Sequence, residues 1–137
     1  MDIKKLITGG IAGGIVFFFL GWLVYGNLLS DFMRQNPGKI GWIDRKEPEF
    51  LYLVAGQLMY GFLLAYILLK GNVNSIVSGL ITGAIIGFLM GAAIDFTMYG
   101  TTLVLSKKGL LAELSAGIVI TALAGAVIAA ATGRKMK

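Results

Sequence analysis

Residues 79–99 read Gly79-Leu-Ile-Thr-Gly83-Ala-Ile-Ile-Gly87-Phe-Leu-Met-Gly91-Ala-Ala-Ile-Asp95-Phe-Thr-Met-Tyr99. Glycine recurs at every fourth position from Gly79 to Gly91, and the series continues through Asp95 to Tyr99. The run is too apolar for a water-facing helix, and its single charge lies deep within it. It predicts a membrane-spanning helix whose glycine ridge lets a neighbouring backbone approach closely. A helix turns about 100° per residue, so each four-residue step drifts by about 40°. The ridge therefore spirals, and Asp95 is carried away from the tightest contact towards the edge of the packing seam. A lone carboxyl inside a span marks a candidate functional site, because an uncompensated charge in hydrocarbon is costly.

The rest of the chain agrees with a membrane setting. Of its 137 residues 57% are hydrophobic and 14% charged, with a mean hydropathy of +0.83. Soluble domains carry about 25% charged residues. The apolar residues fall into long blocks, which predicts an all-α integral membrane protein, a four-helix up-down bundle with glycine-ridge packing. One domain, residues 1–137, is expected, with spans at about 5–33, 48–69, 75–99 and 110–132. The chain holds no cysteine and no histidine, so thiolate chemistry, the common zinc sites and the usual near-neutral general base are absent, and neither a metal site nor a cofactor is expected. The net charge of +5 sits at helix ends, where lipid headgroups rather than nucleic acid are the natural partner.

The first apolar run, Leu6 to Leu29, is too long for a signal peptide and lacks a persuasive cleavage site, so it reads as a retained span. Gly9, Gly10, Gly13 and Gly14 thin its first half, and Trp22 and Tyr25 mark an interfacial belt near its end. Asn36-Pro37-Gly38 stops it, and Trp42 is expected at headgroup level in the loop that follows. Pro48 fits the first turn of the second span, Asn74 or Ser75 caps the third, and Ser106-Lys107-Lys108-Gly109 is expected to break the chain before the fourth. Gly117, Thr121, Gly125, Ala129 and Gly133 form a second small ridge that would meet the Gly79, Gly83, Gly87 and Gly91 series. Four spans place both termini on one side. Lys and Arg divide six against six between the two sides, with Arg134, Lys135 and Lys137 counted on the termini side. Lys4 and Lys5 before the first span tilt the expectation to cytoplasmic termini.

Polar residues concentrate in the half of the bundle away from the termini. The candidate cavity comprises Asp95, Tyr99, Tyr25, Gln57, Tyr60 and Asn27, which threading brings to one depth above a packed glycine floor. Each also has a plainer role. Asp95 could reach interfacial water or an interhelical hydrogen bond, the tyrosines could be belt residues, and Asp31 and Glu113 are expected to be headgroup-level caps.

Phe19-Leu-Gly-Trp-Leu-Val-Tyr-Gly26 and Asp95-Phe-Thr-Met-Tyr-Gly-Thr-Thr102 resemble stretches of small four-span bacterial membrane proteins of unassigned activity. The resemblance implies a bacterial cytoplasmic membrane and carries no activity with it. Small multidrug-resistance transporters share the size but place an essential Glu in their first helix, where this chain has none. Fluoride channels share an opening similar to Gly9-Gly10-Ile11-Ala12-Gly13, but the basic residue that follows and the polar break in helix 3 are missing here. Two functional expectations stand foremost, the first ranked just above the second. One is a structural or accessory protein that binds membrane lipid, a partner membrane subunit or a second copy of itself through glycine faces. The other is a small proton-coupled carrier or channel using Asp95. Enzymatic activity ranks last, since only carboxyl and tyrosine chemistry is available.

Overall fold

The computed structural model describes residues 1–41 and 43–133, and these form an all-α fold. Trp42 and the basic residues Arg134, Lys135 and Lys137 lie outside the described residues. Helix α1 spans Ile3–Leu23 and starts at Asp2, whose carboxylate accepts from the Lys4 amide at 2.9 Å. It runs into a π-helical turn, Val24–Leu28, and a short helix α2, Ser30–Gln35. Helices α3 (Phe50–Lys70), α4 (Ile76–Thr101) and α5 (Lys107–Gly133) follow. Four helical segments are long and apolar enough to cross a membrane. Even the shortest, α3 with 21 residues, reaches about 32 Å at roughly 1.5 Å per residue, which matches the hydrocarbon thickness.

Glycine sets the packing. Along α4, a Cβ placed on Gly79 would strike the Gly125 carbonyl oxygen, one on Gly83 the Thr121 carbonyl oxygen, and one on Gly87 would lie 2.8 Å from the Thr121 Cβ. The contacts ascend α4 as they descend α5, so the two helices run antiparallel with their backbones in contact. The same holds on the other side of the bundle. A Cβ on Gly13 would lie 2.6 Å from Ile128 Cδ1 and 3.1 Å from the Gly61 Cα, and one on Gly14 would lie 3.0 Å from the Leu58 Cα. Helix α1 thus packs on both α3 and α5, and α4 packs on α5, while α3 and α4 make scarcely any contact. The ring of helices is closed at three junctions and thin at the fourth. Phe17, Leu64, Ala65, Leu68, Ile120, Ala124 and Ile128 fill the centre.

Four local expectations are corrected. The first span is not one α-helix to Met33: α1 ends at Leu23, the Leu29 amide reaches back five residues to the Val24 carbonyl at 2.7 Å, and the Asn27 side chain donates to the Trp22 carbonyl at 3.1 Å. Helix α5 does not wait for Leu110 but begins at Lys107, because the Ser106 hydroxyl accepts from the Gly109 amide at 3.0 Å and caps it. Pro48 precedes the first turn of α3 rather than occupying it; Glu49 stands at the cap position and pairs with Arg45 instead of the backbone. Finally, the ridge does not make tight contact along its whole length. A Cβ on Gly91 would reach only Leu114 Cδ1, at 3.3 Å, and the Asp95 carboxylate, at 4.0 Å, while one on Gly117 would meet nothing. Ser75 does cap α4, accepting from the Ser78 amide at 3.1 Å.

Gly83→Leu should push α4 off α5 and lower the free energy of unfolding in a detergent titration by about 3 kcal/mol. Gly100→Ala, where the added carbon meets nothing, should shift it by less than about 0.5 kcal/mol.

Candidate functional site

The two loops at the end away from the termini are tied together. The Gly38 amide donates to the Val104 carbonyl at 3.1 Å, and the Ser106 hydroxyl donates to the Asn36 carbonyl at 2.6 Å. Gly38 is required there, because a Cβ would collide with the Leu103 and Val104 backbone. Ser106 therefore joins the end of α2 to the start of α5, and this fixes the first turns of α5 beside the π-helical turn of the first span. Glu113 lies six residues into α5 and Asp95 six residues before the end of α4. In antiparallel helices both carboxyls come to one level, about 9 Å inside the helix ends.

At that level the bundle holds a cavity of about 500 Å³. All four long helices line it, with Phe17, Tyr25, Gln57, Tyr60, Leu64, Met90, Asp95, Glu113 and Thr121 among the walls, and Asp44 from the first loop at the rim. Its existence follows from the small ridges: Gly87, Gly91 and Gly117 present backbone where side chains would fill the space. Asp95 is only 8% exposed, and its carboxyl has no hydrogen bond or ion pair with any other described residue. Glu113 accepts a hydrogen bond from the Tyr25 hydroxyl. The Phe17 and Tyr60 rings pack 5.8 Å apart on one wall. No Lys or Arg among the described residues lines the cavity. A wider hollow beside Asp44, Arg45, Pro48, Glu49, Tyr52 and Leu53 is shallow and surface-borne, and its Arg45–Glu49 pair already balances charge, so it carries no comparable site.

Of the residues expected at the site, the structure brings Asp95, Tyr25, Gln57 and Tyr60 around one cavity. Tyr99 and Asn27 are not among its lining residues: Tyr99 is exposed on α4, and Asn27 spends its amide on the Trp22 carbonyl. Glu113 was expected at headgroup level and instead faces the cavity, and Asp44, an exposed residue of the first loop, stands at the cavity rim. The missed signal for Glu113 was the cap at Ser106. Starting α5 at Lys107 rather than Leu110 places residue 113 almost two turns inside the helix.

Set beside known proteins, the chain matches no family model, no curated protein and no solved structure. The chemistry must be taken from the groups themselves. Two carboxyls at one level, one of them unpartnered, in a cavity that no basic residue lines among the described residues, can accept a proton or a cation.

Tyr25→Phe removes the donor to Glu113 and leaves that carboxyl without it. The expected loss in a detergent unfolding titration is about 0.6–1.7 kcal/mol, the range for hydrogen bonds between membrane helices.

Proposed function

We propose that this protein is a small carrier of the bacterial cytoplasmic membrane, with Asp95 as its exchangeable group and Glu113 beside it. The observation that supports this most directly is Asp95, a residue only 8% exposed, whose carboxyl is unpartnered among the described residues and opens onto a cavity. An uncompensated charge at membrane depth costs about 2.5–3.5 kcal/mol or more. A carboxyl in that position is stable either as the neutral acid or with a cation against it. Proton and cation then compete for the same oxygens, and that competition is the minimum equipment for exchanging one for the other. With cytoplasmic termini, as Lys4 and Lys5 before the first span suggest, the cavity opens to the outer face.

The accessory reading has less support. A partner subunit, a lipid or a second copy was expected on the glycine faces, but Gly9, Gly13, Gly79, Gly83 and Gly125 are filled by the chain's own helices. Association would have to use another surface.

The test is flux. Reconstituted into liposomes with a trapped pH dye, the wild-type protein should collapse an imposed pH gradient when Na⁺, K⁺ or an organic cation is added. Asp95→Asn, close to isosteric, should slow that collapse about tenfold or more while eluting as the wild type does and keeping its helicity. Equal rates in both proteins would remove Asp95 from any coupling role.

A further inference from the structure

The cavity has a feature that a site for bare ions does not need. Most of its area is apolar or aromatic, and one side of it is open. Helices α3 and α4 bound it but hardly touch one another. The residues they contribute on that side, Tyr60 and Leu63 from α3 and Ile94 from α4, are 42%, 41% and 49% exposed on the outside of the bundle while also lining the cavity. All three lie well inside the ends of their helices, at the depth of acyl chains. The fourth junction of the ring is therefore a slit between cavity and hydrocarbon.

Charge and shape narrow the occupant. Asp95 and Glu113 face the interior, and Asp44 stands at the loop end, close enough to Glu113 for their charges to interact. No cation among the described residues opposes these three carboxyls within the cavity. A phosphate-bearing lipid headgroup would have to bring its anion among them without a basic partner, so an ordinary phospholipid is disfavoured. About 500 Å³ holds a drug-sized molecule. Phe17, Leu64, Met90 and Ile120 supply the apolar wall, and aromatic rings in the lining, Phe17 and Tyr60, suit a delocalised or alkylated cation.

We propose that the cavity binds a hydrophobic organic monocation lacking phosphate, which enters from the bilayer through the slit between α3 and α4 and sets its charge against Asp95 and Glu113. This rests on the carrier reading above and adds the class of substrate and its route. The cation displaces the neutralising proton from the carboxyl; the proton leaves past Asp44 to water. No bond other than that O–H is broken.

The probe is tetraphenylphosphonium, titrated against purified protein in neutral detergent by equilibrium dialysis. Saturable binding is expected, with the dissociation constant raised about tenfold or more in Asp95→Asn and in Glu113→Gln, since each change deprives a buried cation of a counter-charge. Glu113→Gln carries the measurement should Asp95→Asn fail to fold, as judged by elution and helicity. In lipid nanodiscs, Ile94→Trp and Leu63→Trp should slow binding of the probe. Dodecylphosphocholine, which has the alkyl ammonium but adds a phosphate, should compete poorly against dodecyltrimethylammonium. No saturable binding to the folded wild type, or binding that Asp95→Asn and Glu113→Gln leave untouched, would overturn the substrate class. If cation-driven proton flux by Na⁺ or K⁺ persists in that case, the carrier reading survives without it. Unchanged rates in both tryptophan variants would overturn the lateral route, and strong competition by dodecylphosphocholine would overturn the exclusion of phosphate.

Discussion

Backbone against backbone is the contact on which this bundle depends. Gly79, Gly83 and Gly125 bring α4 and α5 so close that a single added carbon would overlap a carbonyl oxygen. In hydrocarbon no hydrophobic force drives helices together, because lipid tails are as apolar as leucine; association comes from dispersion and close approach. The small ridge supplies both, since every atom brought within about 4 Å adds its share of attraction. The second seam, where Gly10, Gly13 and Gly14 of α1 meet Phe62, Gly61 and Leu58 of α3, works in the same way. With both seams at the termini end, that half of the bundle is solid, and Leu64, Leu68 and Ile128 are almost wholly buried in it.

The cavity is the other consequence of the same geometry. A ridge spaced by four drifts around an α-helix, so glycines that begin in the seam do not stay there. Gly87 still touches Thr121, Gly91 has only a leucine methyl within van der Waals reach, and Asp95 one turn later faces open space. From α5, Gly117 repeats the pattern. Residues small enough to permit close packing at one level leave a void at the next. The polar groups stand at the level where the void opens. Asp95 would be intolerable a few turns lower, where the seam is dry and offers no room for a proton donor, water or a cation.

How far the sequence disclosed this differs by feature. Four spans were legible from the apolar blocks, because bilayer thickness fixes their length. The spiral of the Gly79 series, and hence the displacement of Asp95 from the seam, followed from helical pitch alone. The register at the far end did not. The π-helical turn at Val24–Leu28 adds a residue to one turn, and no side-chain periodicity in Val24-Tyr-Gly-Asn-Leu28 announces it. The turn re-aims Tyr25 and explains why Asn27, placed with Tyr25 by spacing, instead bonds back to Trp22. Glu113 was misjudged for a tertiary reason: Ser106 is both a cap for α5 and a donor to Asn36, seventy residues away, and only the second contact shows how firmly the start of α5 is held. Tyr99 continues the four-residue series after Asp95, but the same drift that turned Asp95 into the cavity carried Tyr99 beyond it.

These constraints also limit how such a cavity could communicate with the opposite face. A path to the termini end would have to part α1 from α5, where Thr132 and Ile128 close over Gly9 and Gly13. The helices are not equally bound to one another. Helices α1 and α3 form one tight pair and α4 and α5 another, and the pairs meet through α1 and α5 while α3 and α4 stay nearly apart. A motion that kept both glycine seams intact and turned one pair against the other about the α1–α5 contact would break the fewest close approaches. It would also widen or narrow the slit beside Leu63 and Ile94 as it went, so access from the bilayer and closure of the floor would be coupled by the packing itself. In such a motion the Tyr25–Glu113 hydrogen bond, which crosses from the first pair to the second, is the polar contact that must be remade at each turn. The unpartnered Asp95 has no such bond to break among the described residues.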